Sequence, residues 1–191
     1  MKRFKNVYQI KITLKGTKPP VWRRIQIPDT YTFYDLHVAI QDAMGWMDSH
    51  LHEFIVMNPK TMQPISIGIP DDEFDDGTRT LQGWSNKLSK YFVEGNERAS
   101  YTYDFGDNWE HVIQVEGIFP KDLTKSYPIC IAGRRACPPE DCGGIWGYQE
   151  ICEGKHDYQE AYEDFEPDGF NPKDVVFEDP KERFNQNFEL I

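Results

Sequence analysis

An α+β domain with a mainly antiparallel sheet is the fold class that this 191-residue sequence predicts. Three observations favour it: strand-like alternation near the N-terminus, a helical segment that follows it, and a long aromatic hairpin in mid-chain. We expect helices on one face of the sheet, and a Cys/Pro/Gly-rich loop leading to a helical C-terminal part. A single domain is predicted over residues 1–191, with the sheet core in 1–118 and the loop and helical extension in 119–191.

The first two strands are predicted from alternating side chains. Residues 7–14 place Tyr8, Ile10, Ile12 and Leu14 on one face, which is typical of a half-buried strand. Residues 16–20 contain glycine and proline and predict a turn, and residues 21–27 continue as the partner strand.

One helix and a third strand are predicted next. Thr32 and Asp35 form a capping-box pattern, apolar residues recur at helical spacing over 36–43, and Gly45 is the expected C-cap. A third strand is expected over residues 50–57, an acidic loop over 71–77, and a short helix over 85–92. Further helices are expected after Asp157 and after Asp179.

Residues 99–118 predict a hairpin around the sequence GDN. A three-residue loop, 106–108, keeps the apolar side chains on one face, and asparagine tolerates the left-handed backbone that its third position needs. The predicted pairs are Phe105 with Trp109, Tyr103 with His111, Tyr101 with Ile113 and Ala99 with Val115.

Three segments carry a family resemblance: PPVWRRIQIPDTYTFYDLHVAIQDAMGWMDSHLHEF, YTYDFGDNWEHVIQVE and ACPPEDCGGIWGY. They resemble the plasmid pRiA ORF-like family, which is also labelled insertion-element passenger or TnpR-like. The resemblance covers nearly the whole chain and implies membership and a shared fold. It implies no activity, because the sequence has neither the Arg/His/Tyr set of tyrosine recombinases nor a serine-recombinase pattern.

Histidines of the third strand and the hairpin form a candidate metal site. His50 and His52 are two residues apart, so on a strand both point to the same face, and His111 can supply a third nitrogen. The alternative is that they are hydrogen-bonded histidines at a sheet edge.

Cysteines and carboxylates give weaker candidates. Cys137 and Cys142 can approach a metal ion, but no CxxC pair is present, and buried structural thiols are the alternative. Arg134 and Arg135 can lower the pKa of Cys137 and make it reactive. Five carboxylates can act as general acids and bases or bind a divalent metal, or can simply be turn, capping and solvated residues: Asp104, Asp107, Glu110, Glu140 and Asp141.

The charge is unevenly distributed. The net charge is −11, yet residues 1–28 hold eight Lys or Arg and no acid. The favoured interpretation is docking of this basic segment against acidic surface of the same chain. A nucleic-acid patch is the alternative, comprising Lys11, Lys15, Lys18, Arg23 and Arg24.

These features limit the function classes. No Walker or dinucleotide glycine motif occurs, which argues against nucleotide cofactors, and the N-terminus lacks the apolar core of a signal peptide, so a cytoplasmic location is expected. The first hypothesis is a non-catalytic, mobile-element-associated accessory protein that binds a protein or nucleic acid. The alternative is a metal-dependent hydrolase or nuclease that uses His50, His52 and His111, with Asp104 or Asp107 nearby and a divalent metal such as zinc as cofactor.

Overall fold

The computed structural model describes residues 4–70, 80–155 and 159–188. The strands in these ranges are β1 (Asn6–Leu14), β2 (Trp22–Pro28), β3 (His52–Met57), β4 (Pro64–Gly68), β5 (Leu81–Gln82), β6 (Arg98–Tyr103), β7 (Trp109–Pro120) and β8 (Ile129–Arg134). The α-helices are α1 (Phe33–Met44), α2 (Gly144–Glu153) and α3 (Pro180–Phe188). None of these helices has the length and apolarity needed to cross a bilayer.

The strands form one sheet in the order β5-β4-β3-β6-β7-β1-β2-β8. Neighbouring strands are antiparallel throughout, except that β5 runs parallel to β4. The predicted α+β class with a mainly antiparallel sheet is confirmed.

The first hairpin and α1 follow the predicted pattern. In α1 the Thr32 hydroxyl accepts from the backbone N–H of Asp35, and the Asp35 carboxylate accepts from the backbone N–H of Thr32. Gly45 ends the helix in the left-handed conformation, with φ of 89°. The core lies between α1 and the face of the sheet that carries Ile10, Ile12 and Tyr101, all fully buried.

The β6–β7 hairpin differs from the predicted register by two residues. Tyr103 pairs with Trp109, and Tyr101 pairs with His111. Asp104 adopts a left-handed backbone (φ 54°), and its carboxylate accepts from the N–H of Gly106, so the chain leaves the strand earlier than predicted. The shift is even, and the apolar side chains therefore stay on one face. The predicted left-handed backbone of Asn108 is confirmed (φ 55°).

Other boundaries also differ. Residues 129–134, predicted as part of a long loop, form β8 on the outer edge of β2. The third strand begins at His52 rather than at residue 50. Two short 3-10 turns, Gly83–Ser85 and Leu88–Lys90, are present where a helix over residues 85–92 was predicted, and Leu88 is buried. The predicted acidic loop, residues 71–77, and Asp157 both lie outside the described ranges.

Candidate functional site

Two clusters of histidine and aspartate lie close together where β3 begins. The inner cluster comprises His37, Asp48 and His52, and the outer cluster comprises His50, Asp104 and Asp141. Within each cluster, one nitrogen or oxygen atom per residue lies within 4.8 Å of the others. Both clusters therefore meet the first requirement of a metal site, and their differences decide what each can do.

The inner cluster is a closed hydrogen-bond chain under α1. The Gln41 amide donates to the Tyr101 hydroxyl (3.0 Å), which lies 2.9 Å from His37 Nδ1. His37 Nε2 lies 2.7 Å from Asp48 Oδ1. With Tyr101 donating to Nδ1, the proton on Nε2 is donated to Asp48, and both ring nitrogens of His37 are occupied.

His52 stacks on His37 and completes the inner cluster. The ring centroids are 3.5 Å apart and the planes differ by 9°. Neither ring nitrogen of His52 has a hydrogen-bond partner among the described residues, and burial and the neighbouring His37 hold its pKa well below the usual 6.5. A metal ion lies in the plane of each imidazole that binds it, so two parallel stacked rings do not share one ion. The inner cluster is therefore structural.

Asp48 connects the inner cluster to α3. Its Oδ2 accepts from the side-chain amide of Asn187 at 3.0 Å and lies 3.7 Å from Nη1 of Arg183. Arg183 also pairs with Asp42 and with Glu178, each at 2.8 Å. The C-terminal helix is thus held to α1 and to the loop after it through buried charges.

The outer cluster is half-exposed. His50 Nε2 lies 3.1 Å from Asp141 Oδ1 and 3.8 Å from Asp104 Oδ2. The side chains of His50, Asp104 and Asp141 are 30%, 10% and 73% exposed. Nε2 itself is shielded from solvent, yet no contact it makes within the described residues has hydrogen-bond geometry. The cluster thus brings one imidazole nitrogen and two carboxylates close together, and that nitrogen has no hydrogen bond to either carboxylate.

A second layer of hydrogen bonds fixes the outer cluster in place. The Tyr103 hydroxyl donates to Glu140 Oε1 at 2.8 Å and accepts from the N–H of Ser49 at 3.0 Å. Glu140 Oε1 also accepts from the N–H of Met47 at 2.9 Å, and the Trp46 indole donates to the Pro138 carbonyl at 3.0 Å. The loop that carries His50 is therefore tied to the segment that carries Asp141.

Backbone strain concentrates at the same place. Six described non-glycine residues have positive φ, and four of them lie in these loops: Asp48, Asp104, Asn108 and Asp141. Gly144, with φ of 68°, must be glycine, because a Cβ would lie 2.7 Å from the carbonyl oxygen of Asp107. Asp107 in turn accepts from the N–H of Gly143 at 3.2 Å. Strained backbone that is held by its surroundings is typical of functional sites.

The outer cluster thus joins the two most specific sequence strings, DFGDNWEH and CPPEDCGG, in one surface. A sequence model described as "Plasmid pRiA4b ORF-3-like protein" matches residues 6–178. The chain belongs to this family. One relative, "Uncharacterized protein y4hQ" of Sinorhizobium fredii (strain NBRC 101917 / NGR234), is 41% identical over 152 residues, which cover 80% of this chain and 74% of the relative.

A solved structure supports the shared fold. The crystal structure of the protein of unknown function MM3350 from Methanosarcina mazei Go1 is 48% identical and superposes with a TM-score of 0.84. The match covers 93% of this chain and 100% of that one. The Sinorhizobium fredii relative is uncharacterized and the Methanosarcina mazei protein is of unknown function, so membership in the family establishes the fold and assigns no activity.

The three histidines predicted as one metal site are separated in this family member. His50 belongs to the outer cluster and His52 to the inner one, because His50 precedes β3 and does not follow its alternation. His111 is fully buried, and it belongs to neither cluster; its Nδ1 lies 3.3 Å from the Tyr101 carbonyl oxygen. Burial lowers the pKa of His111 from 6.5 to about 4.

The predicted thiol candidates are also separate from the clusters. Cys137 and Cys142 are free cysteines, and burial raises the pKa of both thiols, that of Cys142 to about 12. The predicted activation of Cys137 by Arg134 and Arg135 is therefore wrong. Arg135 instead contacts Cys152 (3.6 Å), Pro167 and Pro19.

The proposed basic patch is largely neutralised within the chain. Lys15 pairs with Glu110 at 2.7 Å, and Arg24 makes a two-point contact with Glu116 at 2.6 and 2.7 Å. Arg23 is 1% exposed. It donates to the Ala43 carbonyl at the end of α1 (2.8 Å), so its charge interacts with the helix C-terminus. Lys11 lies over the Trp22 ring, and Lys18 is exposed.

Proposed function

We propose that this protein is a binding module that holds one divalent transition-metal ion in the outer cluster and uses it to bind an oxygen-containing group of a partner molecule. The observation that supports the proposal is the convergence of His50 Nε2, Asp104 Oδ2 and Asp141 Oδ1 at the surface. Bonds of about 2.0–2.2 Å to one ion place its ligand atoms about 3–4 Å apart, which agrees with the two separations from Nε2.

The donor set indicates the kind of metal. One imidazole and two carboxylates suit Zn²⁺, Mn²⁺ or Fe²⁺, whereas Ca²⁺ and Mg²⁺ favour oxygen ligands alone and Cu⁺ favours thiolates. Three protein ligands leave at least one coordination position open. A partner's oxygen atom can occupy that position.

Metal-dependent hydrolysis, including nuclease activity, is the second candidate function. It is favoured by the same open position, since a bound Zn²⁺ ion with three protein ligands can lower the pKa of a water molecule and generate a nucleophile. We favour binding because Asp141 is 73% exposed, and a site this open to water gives less of the desolvated environment that strengthens electrostatic catalysis.

The partner class and setting belong to the same proposal. Pairing of Lys15 and Arg24 with carboxylates argues against nucleic acid as the partner, because phosphate binding requires cations that are free to contact it. The cytoplasmic location and the association with mobile elements are proposed from the sequence and the family description.

Metal titration of the untagged protein tests the proposal. After EDTA treatment and dialysis, calorimetric titration with ZnCl₂ or MnCl₂ should show one ion per chain. His50→Ala and Asp141→Asn should each weaken binding at least about 100-fold, because the first removes a direct ligand and the second removes the negative charge of another. Asp122→Asn is the matched control, since Asp122 is an exposed turn carboxylate away from the cluster.

Two results would count against the account. Binding that is absent, or unchanged in His50→Ala, contradicts the metal site itself. Zinc- or manganese-dependent hydrolysis of bis(p-nitrophenyl) phosphate that His50→Ala abolishes would instead support the second candidate function.

A further inference from the structure

Four large apolar side chains are exposed around the outer cluster. Trp146 is 80% exposed, Met47 76%, Phe105 55% and Leu51 52%. Each lies within five residues of His50, Asp104 or Asp141 in the chain. Isolated exposed apolar residues are ordinary, but several around a polar centre indicate a ligand or interaction site.

Hydrogen bonds connect the loops that carry these side chains. The N–H of Asp104 donates to the Leu51 carbonyl at 3.0 Å, and the N–H of Met47 donates to Glu140. Trp146 lies in the first turn of α2. The segment before this helix is joined to Asp107 by a hydrogen bond from the N–H of Gly143. We call Met47, Leu51, Phe105 and Trp146 the apolar rim. The rim is therefore carried by loops that hydrogen bonds hold together.

The charge of the site limits what the rim can bind. The carboxylates of Asp104 and Asp141 balance a divalent ion, so the loaded cluster has a net charge near zero. Glu140 and Asp107 add negative charge in the adjoining loops. Polyanions such as nucleic acids are repelled by this surface, whereas a single carboxylate can bind the metal without much repulsion.

We propose that the ligand of the metal-loaded site is an apolar monocarboxylate, an inference that rests on the proposed metal-binding function. One carboxylate oxygen occupies the open coordination position of the ion. The apolar body of the ligand covers Trp146 and Phe105 and removes their exposed surface from water. The same chemistry is offered by a free aromatic or aliphatic acid and by the C-terminal carboxylate of an apolar peptide.

Calorimetry with 2-naphthoate and acetate tests this ligand class on zinc-loaded protein. Naphthoate should bind at least about tenfold more tightly than acetate, because only naphthoate buries apolar surface against the rim. Trp146→Ala and Phe105→Ala should each weaken naphthoate binding about fivefold and leave zinc binding unchanged. Leu123→Ala is the matched control, since Leu123 is 88% exposed and lies outside the rim.

Comparison ligands distinguish the two sources of the carboxylate, and they separate a failure of the ligand proposal from a failure of the metal proposal. A peptide that ends in Leu-Phe with a free carboxylate should bind more tightly than its C-terminal amide if the source is a chain terminus, and naphthoate alone should bind if it is a free acid. Equal affinity for naphthoate and acetate, or preference for 2-naphthyl phosphate or an oligonucleotide, would overturn the ligand class while zinc binding stands. If the wild-type protein does not bind zinc, both proposals are overturned, and the metal titration by itself shows this result.

Discussion

The inner and outer clusters contain the same residue types and differ in burial and in the arrangement of their ligand atoms. In the inner cluster, His52 has no hydrogen-bond partner among the described residues, but its parallel stacking on His37 keeps the two rings from sharing one ion. In the inner cluster, both ring nitrogens of His37 are hydrogen-bonded, and the Asp48 carboxylate has partners on α3. In the outer cluster, His50 Nε2 approaches two carboxylates without a hydrogen bond, and Asp141 is mostly exposed. The first arrangement stabilises the fold, and the second leaves ligand atoms available.

The comparison shows that residue type alone does not identify a site. His50 and His52 are two residues apart, yet one faces the loop surface and the other lies under α1. Burial makes an imidazole neutral and structural, whereas partial exposure beside carboxylates makes it a potential ligand. Substitutions in the two clusters should therefore separate stability from binding.

The largest effect is expected from Asp48→Asn in the inner cluster. The substitution keeps the shape of the side chain but removes the charge that Arg183 and His37 contact, so it should lower the free energy of unfolding by about 3–5 kcal/mol. Urea denaturation measures the change. Asp122→Asn, in an exposed turn, should change it by less than about 0.5 kcal/mol. A loss below about 1 kcal/mol for Asp48→Asn would show that the inner cluster is not structural.

Acid should destabilise the fold through His111. Burial lowers its pKa in the folded protein from 6.5 to about 4. Between these values the unfolded chain binds more protons than the folded one, so the free energy of unfolding falls as the pH drops from 6.5 towards about 4. The effect is about 3 kcal/mol in total and is absent above pH 6.5. His111→Phe should remove this part of the pH dependence of the free energy of unfolding. If NMR shows that His111 in the folded protein titrates near its usual pKa, the prediction is wrong.

The stacked pair of histidines should respond unequally to the same substitution. His37→Leu removes the contact that His37 makes with Asp48 Oδ1 and the one that it makes with the buried Tyr101 hydroxyl, and it should lower the free energy of unfolding by about 2 kcal/mol or more. His52→Leu removes no hydrogen bond among the described residues and should change it by no more than about 1 kcal/mol. Equal losses, measured by the same denaturation, would show that His52 has polar partners of its own.

Much of the fold follows from local patterns. Alternation located β1 and β2, and the capping pair with Gly45 located α1, because these signals involve residues near one another in the chain. The edge strand β8 was missed because its pairing with β2 is long-range and its sequence resembles a loop. The predicted hairpin register was wrong because the left-handed backbone of Asp104 lengthens the turn. Aspartate tolerates that conformation but does not require it, so the sequence alone does not predict it.

The residues of the outer cluster were named singly from the sequence and not as a set. His50, Asp104 and Asp141 were all identified as candidates, but the spacing along the chain gives no sign that they converge. Their convergence depends on the left-handed turns at Asp104 and Asp141 and on the bond between Tyr103 and Glu140. His37 and Asp48 were missed because one lies within an amphipathic helix and the other after its C-cap, with no recognisable motif.

Cobalt titration of three proteins tests the central claim most directly. Visible absorption reports Co²⁺ bound by protein ligands, and wild type and His52→Leu should both bind one ion with the same spectrum. His50→Ala should fold with an unfolding free energy within about 0.5 kcal/mol of wild type and bind Co²⁺ at least about 100-fold more weakly. If His50→Ala titrates like wild type, or if His52→Leu alone loses the ion, the outer cluster is not the metal site.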